Sequence, residues 1–301
     1  MKGNKSFKVL RSAFSVRSVL LIISALIIFT LIREAKDSLF FQDKERINLI
    51  MYGEDTRFFS LGNKDKVHYV ISFFPDLRVP VPGGYGDYRV GGLGKLAKLE
   101  KKPEIIKKTF SLTTKTFVDF YFLPEKIDIY YGDSRKEKFA IPSFNEVFFS
   151  ESNAGWFDRL YIYLQFLRKR PQEFNQLKNL VTNKKEGNQL FSLEDFAKTY
   201  QGYFYQKIFR EEKKNVQIIY PQSATTASSM GAILEGNGIR IADMTWVEDS
   251  KKSCFIKENL SKHSLTAGKI ALFFGCNLVQ DKTGIYDIIF VVGSKEREWE
   301  I

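Results

Sequence analysis

The sequence predicts an α+β protein: an N-terminal transmembrane helix, an α/β domain with a mixed central sheet, and a small C-terminal βαββαβ domain. Three patterns predict this. An apolar run, residues 19–32, lies between Arg17 and Arg33. From about residue 46 to 210, short β-branched and aromatic runs alternate with stretches of helical period. After residue 213, apolar segments and Gly stops recur in the order strand, helix, strand, strand, helix, strand.

At 301 residues the chain has room for two modest cores. Its 44% apolar and 15% aromatic content is that of a folding chain, and no repeat or low-complexity tract interrupts it. The expected organisation is a basic cytoplasmic tail (1–17), the transmembrane helix and its exit (18–37), a larger domain (38–212) and the small domain (213–301), the charged stretch 210–215 marking their boundary. The net charge of +11 is uneven. Lys2, Lys5, Lys8, Arg11 and Arg17 stand at one end without an acid, whereas residues 213–301 hold 11 basic and 10 acidic side chains. The basic excess on the middle segment suits an anionic partner, a phosphorylated polymer or a lipid head-group surface; solvated Lys-rich faces account for it equally.

The run VLLIISALIIFTLI is short for a span, but its flanking arginines can snorkel, so a helix over about 18–32 is expected to cross the membrane once. The positive flank keeps the N-terminus cytoplasmic and places the remainder outside. No small-x-small site follows the run, which favours a retained anchor over a cleaved signal peptide. Outside the cytoplasm Cys254 and Cys276 could form a disulfide, or could be two buried thiols; spacing does not decide between them.

Strands are expected at 46–53 and 67–74, with a turn at 61–66. Residues 79–94, VPVPGGYGDYRVGGLG, read as a long Gly- and Pro-rich loop of the kind that carries binding sites. A helix follows over 103–120, then strands at 126–131 and 146–149. The stretch 156–168, apolar nearly all round, predicts a largely buried helix ending before Pro171, and helical signal returns at 193–210. In the last segment strands at 216–220, 239–246, 254–257 and 286–292 enclose helices at 224–234 and 264–274.

The chemistry-bearing residues are sparse. Only His68 and His263 exist, too few for a His-based hydrolase or metal site, and both read as structural. Gly91–Lys95 hints at a phosphate loop, but Arg89 and Leu96 occupy positions where that motif needs Gly and Ser or Thr. Nothing points to nucleic acid.

The segments INLIMYGEDTR (47–57), ISFFPDLRVPVPG (71–83) and DIIFVVG (287–293), in that order behind an apolar N-terminal run, resemble the LytR-CpsA-Psr family with its LytR C-terminal domain. That resemblance implies a membrane-anchored phosphotransferase moving a glycopolymer from a polyprenyl-pyrophosphate lipid to the cell wall, with arginines holding pyrophosphate and acidic residues holding Mg²⁺. By the motif match Asp55, Arg57 and Asp76 take the polar positions, with Arg89 near a basic one; Asp55 and Asp76 would be the metal ligands. The signature Arg before the Asp is replaced by Pro75, and in WFDRLYIY (156–163) only Arg159 stands for an arginine, Ile162 and Tyr163 replacing the rest. In the C-terminal segment Tyr220 and Pro221 replace an Asn-Gly turn. A clamp so reduced implies binding or scaffolding at the cell envelope without catalysis, with an anionic glycopolymer, a polyprenyl phosphate or envelope proteins as partners. The alternative keeps catalysis by recruiting Arg78, Arg89 and Arg159 around Asp55 and Asp76. From the residues alone, Asp55 and Arg57 could pair with each other, Asp76 could cap a loop, and Tyr85, Tyr88 and Arg89 could meet sugars or cover the core.

Overall fold

The computed structural model describes residues 16–132, 139–178, 181–183, 189–248 and 253–301. Two compact units result, residues 1–43 and 44–301. In the first, helix α1 (Val16–Lys36) has Arg33 and Lys36 in its last turn. Its uninterrupted apolar run, residues 19–32, rises only about 21 Å, against about 30 Å of bilayer hydrocarbon. Among the described residues no helix is long and apolar enough to cross a membrane. This overturns the expected transmembrane helix.

The second unit starts as an antiparallel meander of β1 (Arg46–Met51), β2 (Thr56–Gly62) and β3 (His68–Phe73). The middle strand escaped the sequence reading because FFSLG runs straight into the turn residues at 62–66. Residues 79–94 are likewise not one loop: β4 (Arg78–Val81) and β5 (Gly86–Arg89) make a hairpin that feeds α2 (Val90–Leu99). Gly83 and Gly84 adopt positive φ at the hairpin turn, which glycine does without strain. The helical glycines serve close packing instead. A Cβ on Gly91 would stand 2.2 Å from the Tyr130 carbonyl oxygen, and one on Gly94 2.4 Å from the Tyr52 ring.

Helix α3 (Glu104–Thr114) stops at Lys115 in the left-handed region, earlier than expected, and frees β6 (Phe120–Leu123) to pair parallel with β1. The expected strand at 146–149 is helix α4 (Phe144–Phe148), because Ser143 and Glu146 form a reciprocal capping box. Then come β7 (Glu151–Ser152), α5 (Trp156–Leu167), β8 (Phe174–Gln176), β9 (Val181–Asn183), β10 (Gln189–Phe191), α6 (Leu193–Tyr200) and α7 (Lys207–Glu212). In place of one mixed central sheet there are two, ordered β7-β6-β1-β2-β3-β8 and β5-β4-β10-β9. Phe58, Phe73, Phe110 and Phe204 fill the main core, with Phe73 and Phe110 rings 4.9 Å apart.

The last part runs β11 (Asn215–Tyr220), α8 (Ala224–Gly236), β12 (Arg240–Trp246), β13 (Phe255–Glu258), α9 (Leu265–Phe274), β14 (Asn277–Gln280), β15 (Ile288–Val291) and α10 (Glu296–Trp299). Ser223 and Ser264 cap the two longer helices, and Gly275 ends α9 in the left-handed region. The unexpected β14 pairs parallel with β13, so the order is βαββαββ in a sheet β12-β11-β15-β13-β14. A disulfide joins Cys254 to Cys276, tying the entries of these two strands. Leu112 and Phe117 of the preceding part belong to this second core. Buried Thr116 accepts from Asn48 and donates to Asn237, so one polar chain links β1 to the end of α8.

Candidate functional site

The register sets Asp55, Arg57 and Asp76 at one end of the six-stranded sheet. Thr56 lies opposite Phe73, so Asp55, just before β2, and Asp76, three residues after β3, belong to the same end of that sheet. The six residues nonetheless separate into two groups with different partners.

The first group surrounds α4. The Arg57 guanidinium lies 3.7 Å from the Asp55 carboxylate and 2.5 Å from that of Glu146, and it also donates to the Ala140 carbonyl. Burial alone would raise the Glu146 carboxyl, but the Ser143 N–H and Arg57 hold it below its ordinary value. Arg159, on the first turn of α5, donates to four carbonyls: Ala154 at 3.1 Å, Val147 at 2.8 Å, Phe148 at 3.0 Å and Ser150 at 2.8 Å. It thereby satisfies the orphan carbonyls at the end of α4 and in the bend that follows. Glu146 had no signal in the sequence as long as its segment read as a strand. The pattern Ser143-x-x-Glu146 ahead of apolar residues was that signal.

The second group lies on β4, β5 and the loop before them. Asp76 accepts from Arg89 at 3.4 Å and from the Gly132 N–H at 3.0 Å, while its own N–H donates to the Gly132 carbonyl at 3.0 Å. The Arg89 guanidinium sits 4.9 Å from the centre of the Tyr131 ring. Arg78 stands directly opposite Arg89 in the hairpin. Its Nε is buried without a hydrogen-bond partner among the described residues. Like charges facing across a ladder cost energy unless an anion lies between or beside them.

Nearby, Tyr52 donates to the Val90 carbonyl at 3.1 Å, and burial raises its phenol. Tyr85 meets Glu100 at 2.8 Å, so that ring is held to the protein itself. His68 accepts from the Gly62 N–H, and burial, helped by Lys169 and Arg46, lowers it to about 4.

Among the described residues no group of three or more His, Cys, Asp or Glu side chains could hold a metal ion. Asp55 is paired with Arg57, and the two oxygens of Asp76 are taken by Arg89 and Gly132. Mg²⁺ prefers open carboxylate oxygens in octahedral array, so this pair as arranged does not fit it. Of two cavities of about 410 and 460 Å³, one is lined by Glu45, Arg46, Lys64 and Asp65, the other by Pro82, Tyr85, Lys102, Lys108 and Arg297; none of the six charged candidates lines either.

No protein-family model matches the chain, and no curated protein is similar to it. By fold class it is a mixed α+β protein with several sheets. Among solved structures it is similar to the transcriptional regulator yvhJ of Bacillus subtilis, at 11% identity and a TM-score of 0.38, over 54% of this chain and 99% of that one. It is similar to B. subtilis TagV at 13% identity and 0.36, over 54% and 98%. A transcriptional regulator of Enterococcus faecalis matches at 8% and 0.34, over 77% and 94%. Likenesses this distant carry no argument about chemistry.

Proposed function

We propose that this chain is a LytR-CpsA-Psr-like protein of the cell envelope that binds or scaffolds and does not catalyse transfer. One observation carries the reading: Arg57 and Arg159 direct their guanidinium donors to their own chain, to Glu146 and Ala140 in one case and to four carbonyls in the other. A pyrophosphate leaving group needs fixed cations whose donors are open to it. The Cys254–Cys276 disulfide supports an oxidising compartment. The ligand class is an anionic envelope polymer, held by Arg78 and Arg89. The test supplies the full-length chain with a polyprenyl-pyrophosphate-linked glycan, Mg²⁺ and a peptidoglycan acceptor. Retention of the polymer without transfer is expected, and transfer would end the proposal.

The buried Nε of Arg78, without a partner among the described residues and beside Arg89, favours a second reading, a phosphotransferase with a rearranged clamp and Mg²⁺ brought in with its substrate. In that reading Arg78→Ala abolishes transfer; if no transfer exists to abolish, it fails. Envelope proteins would dock through the C-terminal sheet, where edge strand β12 exposes Met244 and Trp246. Capture of the same envelope proteins by wild type and by Met244→Ser/Trp246→Ser would exclude that route.

A further inference from the structure

Helix α5 is apolar nearly all round, and a helix of that kind should be buried; in this fold only Ile162 and Phe166 are. Phe166 faces Phe59 and Phe174, with ring centroids 5.0 Å and 6.4 Å away. Positions 156, 160, 163 and 167 fall on another stripe, roughly a third of a turn away at 3.6 residues per turn. The stripe is exposed at its two ends, with Leu160 and Tyr163 half-buried between them. Trp156 and Leu167 are 58% and 61% exposed, and beside them on α4 and its end Phe144 and Phe149 are 46% and 68% exposed.

These side chains form a continuous surface. Phe144 stacks on Phe148 at 4.4 Å and meets Phe149 at 6.0 Å, while Phe148 reaches Trp156 at 5.1 Å. Tyr163 touches Phe144 and Phe148 at 5.4 and 5.8 Å. Exposed aromatic clusters of this breadth mark a contact surface. The charges around it indicate with what. Arg168 and Arg170 are exposed directly beyond Leu167. Of the acids nearby, Glu146 pairs with Arg57, Glu173 accepts from the Arg170 backbone N–H at 2.9 Å, and Glu151, just past Phe149, is exposed.

Phenylalanine, leucine and tryptophan edged by arginine match the head-group boundary of an anionic bilayer, where rings enter the acyl border and guanidinium groups meet phosphate. A glycan would need a denser set of polar partners around the rings than phenylalanine and leucine supply. We infer that the outward face of α4 and α5 rests on an anionic lipid surface, with Trp156 at the contact. This is independent of the polymer reading, because it uses none of the arginines of that site.

The test reads Trp156 itself, so that contact of α1 with lipid cannot mimic the result. Full-length chain is added to phosphatidylglycerol vesicles carrying either ordinary or brominated acyl chains, and tryptophan emission is compared with that of Trp156→Phe. Brominated lipid is expected to quench the wild type, and Trp156→Phe to remove that quenching. Arg168→Gln with Arg170→Gln is expected to raise the lipid concentration needed, by about fivefold for each charge removed. Emission indifferent to bromination overturns the inference. So does equal quenching by phosphatidylcholine, and so does shielding of Trp156 that appears without lipid as protein concentration rises, which would identify a second copy as the occupant.

Discussion

Two sets of arginines, one around α4 and one on the β4–β5 hairpin, differ in what their donors meet. Around α4, Arg57 and Arg159 are enclosed by carboxylates and carbonyls of their own chain. On the β4–β5 hairpin, Arg78 and Arg89 face each other, with Asp76 engaging one of them and the Nε of Arg78 left without a partner. A guanidinium held at several of its donors by its own chain is a structural strut, whereas a buried donor left open is a binding element waiting for an anion. Counting arginines near a motif cannot separate the two kinds. Substitution can, because struts and binding elements respond oppositely.

The largest effect is expected at Arg159. Replacing it with Ala strands the carbonyls of Ala154, Val147, Phe148 and Ser150, and should lower stability by about 3 kcal/mol or more, since each buried carbonyl left unpaired costs on the order of 1 to 3 kcal/mol. Arg159→Lys keeps the charge but not the fork, and should recover only part of the loss. Denaturant midpoints at constant slope measure this. A loss below about 0.5 kcal/mol, the size expected of an ordinary surface substitution, would place Arg159 with the binding elements.

Asp119 offers a second strut, of opposite sign. Burial would raise its carboxyl, yet Lys269 at 2.9 Å, Lys44 at 3.4 Å and the Asn48 N–H hold it well below the ordinary carboxylate range. Its folded value is therefore lower than its unfolded one. The stability it contributes is present above about pH 4 and is lost as pH falls through lower values. Asp119→Asn leaves Lys269 partly uncompensated and should cost about 3 kcal/mol at pH 7, with the difference from wild type narrowing in acid. His68 acts in the same direction at higher pH. Lowered to about 4, it makes stability fall as pH drops from about 6.5 toward 4, and His68→Gln should flatten that part of the curve.

Glu146 is intermediate, half-exposed and tied to Arg57 and to Ser143. Glu146→Gln keeps the cap but weakens the ion pair, and about 1 kcal/mol is expected. If that variant gained affinity for phosphate, Arg57 would have been released from strut to binding element, which would blur the distinction between the two sets.

What could be read in advance follows the same division. The meander strands at 46–53 and 67–74 and the helices of the last segment were legible because period and caps agree there with the fold. The hairpin and helix at 78–99 were not. Gly91, Gly92 and Gly94 read as loop formers, while in the fold they let α2 approach Pro75, Tyr88 and Tyr52. Helix α4 was hidden by its β-like composition; α1 was legible as a helix, but its 14-residue apolar run is too short for the membrane span read from it. Of the site, Asp55 with Arg57 was recoverable as a pair, whereas Asp76, read as a loop cap, is paired with Arg89 across the hairpin. The fate of Arg159 was not, since its partners are backbone carbonyls, and carbonyls leave no mark in a sequence.

The smallest stability effect, and the sharpest discrimination, is expected at Arg78. Its buried Nε has no partner to lose, so Arg78→Met, which keeps the apolar stem, should change stability by less than about 1 kcal/mol and could raise it by removing the repulsion from Arg89. Binding should respond the other way. If the hairpin arginines hold an anion, titration with inorganic pyrophosphate at low salt should show weak binding to wild type that falls on the order of tenfold in Arg78→Met, a charge-assisted hydrogen bond being worth about 1.5 to 3 kcal/mol. Arg159→Lys should bind pyrophosphate as wild type does. Were Arg78→Met to unfold the chain while leaving pyrophosphate binding intact in the surviving fraction, Arg78 would be the strut, and the division drawn between the two sets would fall.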